Sequence, residues 1–275
     1  MIRLLSVAAL FILFSAELAL SAETELTNVS FSDVLAVPYR KADLTHSYGE
    51  NQFQYGQLWL PATIPARAIL VLIHGGCWLN QFDIIYSHGL SSSLADAGFA
   101  VWSLEYRRTG DEGGAWPGTF EDIVAGINSL NDIGGIKSEN MAILGHSAGG
   151  HLALLAGAQS ELLDMEPDLI VGLAAISDVV SYAAGSNTCE SATPIFMGGD
   201  VVERAQEYFD ANPGNHGLHE NTVLLAGDND EIVPLTQATL LGARTIISSG
   251  ASHFDWAHPD TLAYRQLLDL LNEYF

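Results

Sequence analysis

The sequence predicts an α/β fold built on a mostly parallel, doubly wound sheet with helices on both faces. The first observation is a series of short apolar runs without polar interruption, which is typical of strands buried on both faces of a parallel sheet. The second is that helical patterns lie between these runs, and this alternation implies right-handed βαβ units. The chain has 275 residues, 48% of them hydrophobic, and no linker or repeat divides it. Residues 23–275 are therefore predicted to form one domain.

The predicted elements follow in order along the chain. Residues 52–60 alternate loosely between polar and apolar and end at Pro61, a pattern typical of an early antiparallel strand. Buried strands are predicted at residues 68–73, 100–104, 141–144, 169–176, 223–226 and 245–247, and helices at residues 84–96, 119–130, 148–158 and 261–271. Thr119 is the predicted cap of the second helix. Residues 177–221 break the alternation, so they are predicted to form a small lid or pocket wall.

The N-terminus has the pattern of a secretory signal peptide. A short basic start at residues 1–3 precedes an apolar run at residues 4–14, and small residues follow near Ser21 and Ala22. This pattern predicts a signal peptide over residues 1–22 and an exported protein, periplasmic or secreted. A membrane anchor is the alternative, but Glu17 leaves the apolar stretch short of the ~20 residues that a spanning helix needs.

The composition excludes some partners without identifying a reaction. Ten Lys and Arg residues against 33 Asp and Glu residues give a formal net charge of −23. Such a surface disfavours nucleic acid and anionic lipid, so neither a nucleic acid nor a stable membrane partner is predicted. No pair of histidines has ligand spacing on a common helix face, and no H-E-x-x-H motif occurs. We therefore predict neither a metal nor another cofactor.

Ser147 is the candidate nucleophile. The motif G-H-S-A-G spans residues 145–149, directly between the predicted strand at 141–144 and a predicted helix. In that context the serine lies at the apex of a tight turn, where flanking side chains would clash and the two glycines remove them. The helix dipole and the amide of Ala148 then face the place where negative charge develops during acyl transfer.

A serine hydroxyl needs a base, and the base needs an orienting acid. With this motif the chain order is serine, then acid, then histidine. His253 follows the last predicted strand and precedes the final helix, where the base is expected. Asp228, Asp230 and Glu231 all follow the strand at 223–226, and their spacing alone does not separate them, although Asp228 suits a role in the turn.

The loop H-G-G-C-W at residues 74–78, called the oxyanion loop below, follows the first buried strand. A loop in this position supplies amides that hold the oxyanion together with the amide after the nucleophile. Its two glycines allow the backbone to turn its N–H groups toward the serine. Two motifs far apart in the chain therefore predict one geometry.

These residues resemble the α/β-hydrolase superfamily and, within it, the esterase and kynurenine formamidase-like group that carries an H-G-G-x-W loop. Further matches are S-L-E-Y-R-R at 103–108, W-P-G-T-F-E-D at 116–122 and S-H-F at 252–254. The group's G-x-x-D-x-x-V-P pattern falls on residues 227–234, which implies that Asp230 is the acid. The resemblance also implies that the amides of Gly76 and Cys77 join that of Ala148 in the oxyanion hole. Cys77 stands where related esterases often have a third glycine.

Cys77 and Cys189 are the two cysteines of the chain. In an exported protein a disulfide between them is chemically permitted, and its long loop favours stabilisation in the chain-entropy model. Both cysteines fall in loops expected at the same end of the sheet, which favours a bridge over two unrelated thiols.

The predicted function is hydrolysis of a small-molecule carboxylic ester through an acyl-enzyme on Ser147. The same machinery would hydrolyse an amide or formamide, and Trp78 is then a candidate for stacking on an aromatic substrate, with core packing as the alternative. A peptidase is disfavoured because no propeller-like domain precedes the hydrolase region. A non-catalytic binding protein on a hydrolase scaffold is the remaining alternative, against which the complete set of serine, acid and histidine argues.

Overall fold

In the computed structural model, which describes residues 26–134, 136 and 138–275, the strands form one eight-stranded sheet. They are β1 (Leu44–Ser47), β2 (Tyr55–Trp59), β3 (Ile69–Ile73), β4 (Ala100–Leu104), β5 (Met141–His146), β6 (Leu169–Leu173), β7 (Thr222–Gly227) and β8 (Arg244–Ser248). Their spatial order is β1-β2-β4-β3-β5-β6-β7-β8. Strand β2 is antiparallel to both of its neighbours, whereas every pair from β4 to β8 is parallel. The predicted mostly parallel sheet is confirmed.

The strand order brings the predicted functional loops together at one edge of the sheet. The chain passes from β3 outward to β4 and then returns to β5, so β3 lies between them. In the register of β3 and β5, Ile73 pairs with Gly145, which places the oxyanion loop beside the turn that holds Ser147. In the register of β7 and β8, Gly227 pairs with Ser248, so the loops of Asp230 and His253 start side by side. Ligands of open α/β sheets bind at this carboxyl edge.

Eight α-helices lie in the described part of the chain. They are α1 (Phe31–Ala36), α2 (His88–Asp96), α3 (Gly118–Asn128), α4 (Ala148–Ala158), α5 (Val179–Tyr182), α6 (Thr188–Met197), α7 (Ala205–Ala211) and α8 (Leu262–Tyr274). Helices α2 and α8 pack on one face of the sheet, and α3 and α4 on the other. Helix α4, which follows Ser147, is buried at all of its residues.

Successive residues of the central strands belong to two separate cores. Leu70 and Leu72 of β3 pack with α2 and α8, whereas Val71 and Ile73 pack with α3 and α4. Side chains of a strand point alternately to the two faces of the sheet, so a strand covered on both faces is apolar at every position. This burial explains the continuous apolar runs of the sequence.

Several elements differ from the sequence prediction. Strand β1 and helix α1 were not predicted, and residues 177–221 hold helices α5, α6 and α7. The predicted cap Thr119 is wrong, because α3 begins at Gly118 and the Thr119 hydroxyl donates to the Arg107 carbonyl at 2.6 Å. Helix α8 begins at Leu262, one residue after the predicted start, and Thr261 caps it by accepting a hydrogen bond from the Tyr264 amide.

The predicted signal peptide, residues 1–22, lies outside the described residues. Among the residues that the structure describes, no helix combines the length and the apolar character needed to cross a bilayer.

Candidate active site

Ser147 lies at the sharp turn between β5 and α4. Its backbone has φ 59° and ψ −121°, a conformation that costs energy for any residue other than glycine. The Ser147 amide donates to the Leu173 carbonyl of β6 at 2.8 Å, which holds the turn against the neighbouring strand. A Cβ at Gly145 would collide with the Gly149 carbonyl, and one at Gly149 with the Ile73 and His74 carbonyls. The spacing of the two glycines is therefore a direct steric requirement of this turn.

Of the three acids that follow β7, Asp230 is the one that contacts His253. Its Oδ2 lies 2.7 Å from Nδ1 of His253, and the two side chains are 2% and 6% exposed. Asp228 instead accepts hydrogen bonds from Gly250 and Ser249 in the neighbouring turn, and Glu231 is exposed to solvent. The geometry thus separates the acids that spacing left open.

The Asp230 carboxylate is held in its ionised form. Its Oδ1 accepts the amides of Ile232 and Val233, both at 2.8 Å. Burial by itself would raise the pKa of the Asp230 carboxyl, but the hydrogen bond and charge of His253 and the two amides outweigh burial and lower the pKa below its usual value. An ionised acid at this position favours a proton on Nδ1 of His253 and leaves Nε2 as the basic nitrogen.

The oxyanion loop turns through three successive residues with positive φ. The values are 107° for Gly76, 55° for Cys77 and 57° for Trp78. The amides of Gly76 and Cys77 donate to no acceptor among the described residues. Ala148 is the first residue of α4, where an N–H group has no partner within the helix. Gly76 and Cys77 line the same pocket as Ser147.

The first histidine of the oxyanion loop anchors it to a buried charge cluster. His74 Nε2 lies 3.0 Å from Glu105 Oε1, and His74 stacks on Tyr106 with ring centroids 4.4 Å apart. Glu105 also pairs with Arg108 at 3.2 Å and accepts the amide of Ile84. Burial opposes ionisation of Glu105, yet the pKa of its carboxyl is lowered by His74 and Arg108. The sequence analysis assigned Glu105 no role; its position directly after β4, at the carboxyl edge of the sheet, is the signal that could have found it.

A disulfide joins Cys77 to Cys189, with Cα atoms 5.0 Å apart. It connects the oxyanion loop to α6 of the segment 177–221, and both cysteines line the pocket. That segment therefore supplies part of the pocket wall.

Trp78 lies in the core, away from the pocket. Its side chain is 0% exposed and stacks on Phe196 of α6 with ring centroids 4.7 Å apart. The suggestion that Trp78 stacks on substrate is wrong for this position, because the ring is covered by protein on all sides. Trp78 anchors the oxyanion loop instead.

The pocket beside Ser147 has a volume of about 270 Å³ and is largely apolar. Its lining includes Ser147, His253 and an aromatic group that consists of Phe31, Phe82, Tyr86 and Phe254. The Phe31 ring centroid lies 5.6 Å from each of the other three rings. Apolar pockets with a few polar groups are typical of small-molecule sites.

Phe31 reaches the pocket because the chain before α1 is bound to the loop of His253. The Asp255 carboxylate accepts the amides of Asn28 and Val29 at 3.1 and 2.8 Å. Sequence reasoning missed Phe31, because the recognised motifs begin near residue 50 and no local pattern indicates a contact across more than 200 residues.

No group of three or more His, Cys, Asp or Glu side chains within the described ranges is arranged to hold a metal ion.

Two buried histidines near the site predict an acid-sensitive fold. Burial lowers the pKa of His146 to about 3 and that of His151 to about 4, from 6.5. Below pH 6.5 the unfolded chain therefore binds protons that the folded protein does not. The free energy of unfolding should fall as the pH is lowered from 6.5 toward 4.5, by up to about 1.4 kcal/mol per pH unit for each histidine.

Urea unfolding of the wild type and of His151→Gln at several pH values checks this prediction. His151 Nε2 donates to the Ala211 carbonyl at 2.7 Å, and a glutamine amide has a donor for the same carbonyl. The wild-type free energy should fall more steeply than that of the variant, by the contribution of one histidine. Equal slopes for the two proteins would contradict the prediction.

Comparison with known proteins identifies a family for this chain. The BD-FAE family model matches residues 57–244. Esterase LipC of Mycobacterium tuberculosis (strain ATCC 25618 / H37Rv) is 26% identical over 211 residues, which cover 70% of this chain and 52% of LipC. The probable carboxylic ester hydrolase LipM of the same strain is 26% identical over 218 residues, with 70% of this chain and 49% of LipM covered. The chain thus spans about half the length of these relatives.

Solved structures share the fold at low sequence identity. Esterase B from Lactobacillus Rhamnosis (HN001) superposes with a TM-score of 0.72 at 18% identity and covers 88% of this chain and 89% of its own. A truncated carbohydrate esterase from gut microbiota gives a TM-score of 0.72 at 20% identity, with 86% and 97% covered.

Proposed function

Because the chain belongs to the BD-FAE family, which is of the α/β-hydrolase type, we propose that it hydrolyses carboxylic esters. One observation carries the proposal: Ser147, the Asp230-bonded His253 and the oxyanion-loop residues Gly76 and Cys77 line one apolar pocket. Acyl transfer needs a nucleophile, a base and oxyanion donors at one place, and this pocket has candidates for all of them. The relatives with ester-hydrolase names support the same reaction class.

In the proposed mechanism Ser147 attacks the carbonyl carbon of the ester. His253 Nε2 accepts the hydroxyl proton, and Asp230 orients the ring through Nδ1 and stabilises the imidazolium that forms. The amides of Gly76, Cys77 and Ala148 hold the negative charge of the tetrahedral oxyanion. The carbon–oxygen bond to the alcohol then breaks, and His253 returns the proton to the leaving alcohol. Water activated by His253 releases the acid from the acyl-enzyme.

The aromatic group around Ser147 supports an apolar acyl or alcohol portion on the substrate. The side chains of Phe31, Phe82 and Phe254 offer no hydrogen bond, so affinity for this portion arises from burial of apolar surface. A second candidate, hydrolysis of an aromatic formamide, is favoured by the same aromatic lining.

We also propose that the protein acts outside the cytoplasm, in the periplasm or as a secreted protein. The signal-peptide pattern of residues 1–22 supports export. The disulfide between Cys77 and Cys189 supports it independently, because such bonds persist mainly in oxidising compartments.

The test of the proposed function is an activity screen with the full chain. We expect turnover of p-nitrophenyl esters from acetate to octanoate, and covalent labelling of Ser147 by a fluorophosphonate probe, located by mass spectrometry. A higher kcat/KM on N-formylkynurenine than on the esters would favour the formamide alternative. Absence of both turnover and labelling would favour a non-catalytic binding protein.

A further inference from the structure

Tyr86 and His146 are buried beside Ser147, and the proposed mechanism uses neither side chain. Tyr86 lies just before α2, and His146 immediately precedes Ser147, with its ring 4.7 Å from that of His253. We infer that these two side chains are positioning residues that hold the oxyanion loop, the Ser147 turn and the His253 loop together through one hydrogen-bond chain. The inference rests on the proposed function in that it takes His253 as the base.

The first bonds of this hydrogen-bond chain fix the direction of the Tyr86 hydroxyl hydrogen. The Gly75 amide contacts the Tyr86 hydroxyl, and because an N–H group only donates, the hydroxyl oxygen accepts this bond. The single hydroxyl hydrogen is then available for the other neighbour, His146 Nδ1, at 3.2 Å. Nδ1 of His146 must therefore carry a lone pair.

The last bond of the hydrogen-bond chain fixes which ring nitrogen of His146 carries the hydrogen. Its Nε2 lies 2.9 Å from the carbonyl oxygen of His253, which only accepts. Nε2 must therefore carry the hydrogen. One protonation state out of three satisfies all the groups: the neutral ring with its hydrogen on Nε2. The donors are, in order, Gly75, Tyr86 and His146, and the final acceptor is the His253 carbonyl.

Burial keeps both side chains in these states. The His146 ring is enclosed, which lowers the pKa of His146 to about 3, and burial raises the pKa of the Tyr86 hydroxyl well above its usual value. Neither group changes its charge near neutral pH, so neither is suited to accept a proton during catalysis. A hydrogen-bond chain of fixed, neutral groups is suited to holding backbone segments in place.

The three joined segments are those whose relative positions matter for acyl transfer. Gly75 precedes the two predicted oxyanion donors and packs directly on the Ser147 turn, since a Cβ at Gly75 would lie 2.9 Å from that of Ser147. At the other end of the hydrogen-bond chain, the backbone carbonyl of His253 accepts a hydrogen bond from His146. The side chain of the same residue is the imidazole that is bound to Asp230. A displacement of about 1 Å between reacting groups costs on the order of 100-fold in rate.

Tyr86→Phe removes the hydroxyl and keeps the ring that packs on Phe31. It leaves the Gly75 amide and Nδ1 of His146 without their partner. We expect kcat on p-nitrophenyl butyrate to fall by about 10- to 100-fold, with KM changed by less than about threefold, because alignment rather than substrate binding is lost.

Tyr208→Phe is the matched control. Tyr208 is buried in α7, its hydroxyl donates to the Gly199 carbonyl at 3.3 Å, and its side chain is absent from the pocket lining. This variant should keep the wild-type kcat. Equal kcat values for wild type and Tyr86→Phe would overturn the inference.

A pair of variants at His146 tests the order of donor and acceptor. A glutamine amide has an oxygen that accepts and an N–H that donates, as the neutral His146 does, whereas leucine has neither. We expect His146→Gln to retain a kcat at least about tenfold higher than His146→Leu, at comparable melting temperature. Equal losses in the two variants would contradict the positioning role.

Nitrogen-15 NMR of the histidine side chains tests the hydrogen-bond chain in the wild-type protein, so the result does not depend on whether a variant folds. His146 should be neutral and protonated at Nε2 from pH 6 to 8. An imidazolium, or a hydrogen on Nδ1, would overturn the inference. Because this measurement needs no substrate, it distinguishes failure of the inference from failure of the proposed function, which the absence of turnover and labelling in the wild type would reveal.

Discussion

Ser147→Ala should lower kcat for p-nitrophenyl butyrate by on the order of 10⁶-fold, because no other group replaces the attacking oxygen. A residual rate above the uncatalysed reaction is expected, since the amides of Gly76, Cys77 and Ala148 would still stabilise the oxyanion formed when water attacks. The variant should also lose labelling by the fluorophosphonate probe.

The fold should tolerate this substitution. Ser147 is 3% exposed, and its hydroxyl makes no hydrogen bond to another described residue. Alanine has the same Cβ as serine, so the steric requirements at φ 59° are similar. Ser91→Ala in α2 is a suitable control, because it removes a buried hydroxyl that donates to the Ser87 carbonyl at 2.9 Å, and α2 packs on the face of the sheet opposite to α4. If Ser147→Ala kept a rate within tenfold of the wild type while Ser91→Ala behaved normally, the nucleophile would lie elsewhere.

Asp230→Asn should lower kcat by about 10⁴-fold with little change in KM. In the wild type, Oδ1 of Asp230 accepts the amides of Ile232 and Val233, and Oδ2 faces His253 Nδ1. An asparagine would keep its oxygen on the two amides and present its NH₂ group to His253. Nδ1 would then act as an acceptor, the proton would move to Nε2, and the nitrogen proposed to accept the Ser147 proton would no longer be basic.

The neighbouring acids provide matched controls for this experiment. Asp228→Asn and Glu231→Gln make the same change in charge within two residues of Asp230, but among the described residues it is Asp230 that forms the hydrogen bond and ion pair with the His253 ring. Both variants should keep kcat within about threefold of the wild type. A loss in Asp228→Asn or Glu231→Gln as large as that in Asp230→Asn would mean that net charge, and not orientation of His253, is responsible. Steady-state kinetics on all three variants, with melting temperatures measured in parallel, decides the matter.

The central elements of the fold could be predicted because their local patterns are strong. Strand β4 and helix α4 have the predicted bounds, Ala100–Leu104 and Ala148–Ala158. Both are buried on all sides, so burial is visible in the sequence as unbroken apolar composition. Strand β1 is mostly exposed, and the six-residue helix α1 buries only Val34. Without a buried face these two elements leave no periodic pattern, which is why the sequence did not predict them.

By itself the sequence determined which candidate residues lie at each loop. Ser147 between its glycines, the oxyanion loop at 74–78 and His253 after β8 follow from local rules, since a turn, a strand end and a helix start are each specified by adjacent residues. The residues also limited the acid to three neighbours. The family resemblance favoured Asp230 among them.

Only the tertiary structure decided which side chains meet. Asp230 faces His253 because two backbone amides fix its other oxygen, Phe31 lines the pocket because Asp255 holds the preceding chain, and Trp78 is covered by Phe196. The contacts of Asp230 with His253, of Asp255 with Val29 and of Trp78 with Phe196 join separate segments of the chain. Local sequence patterns report the conformation of adjacent residues, whereas such contacts depend on strand order and packing, which are properties of the whole fold.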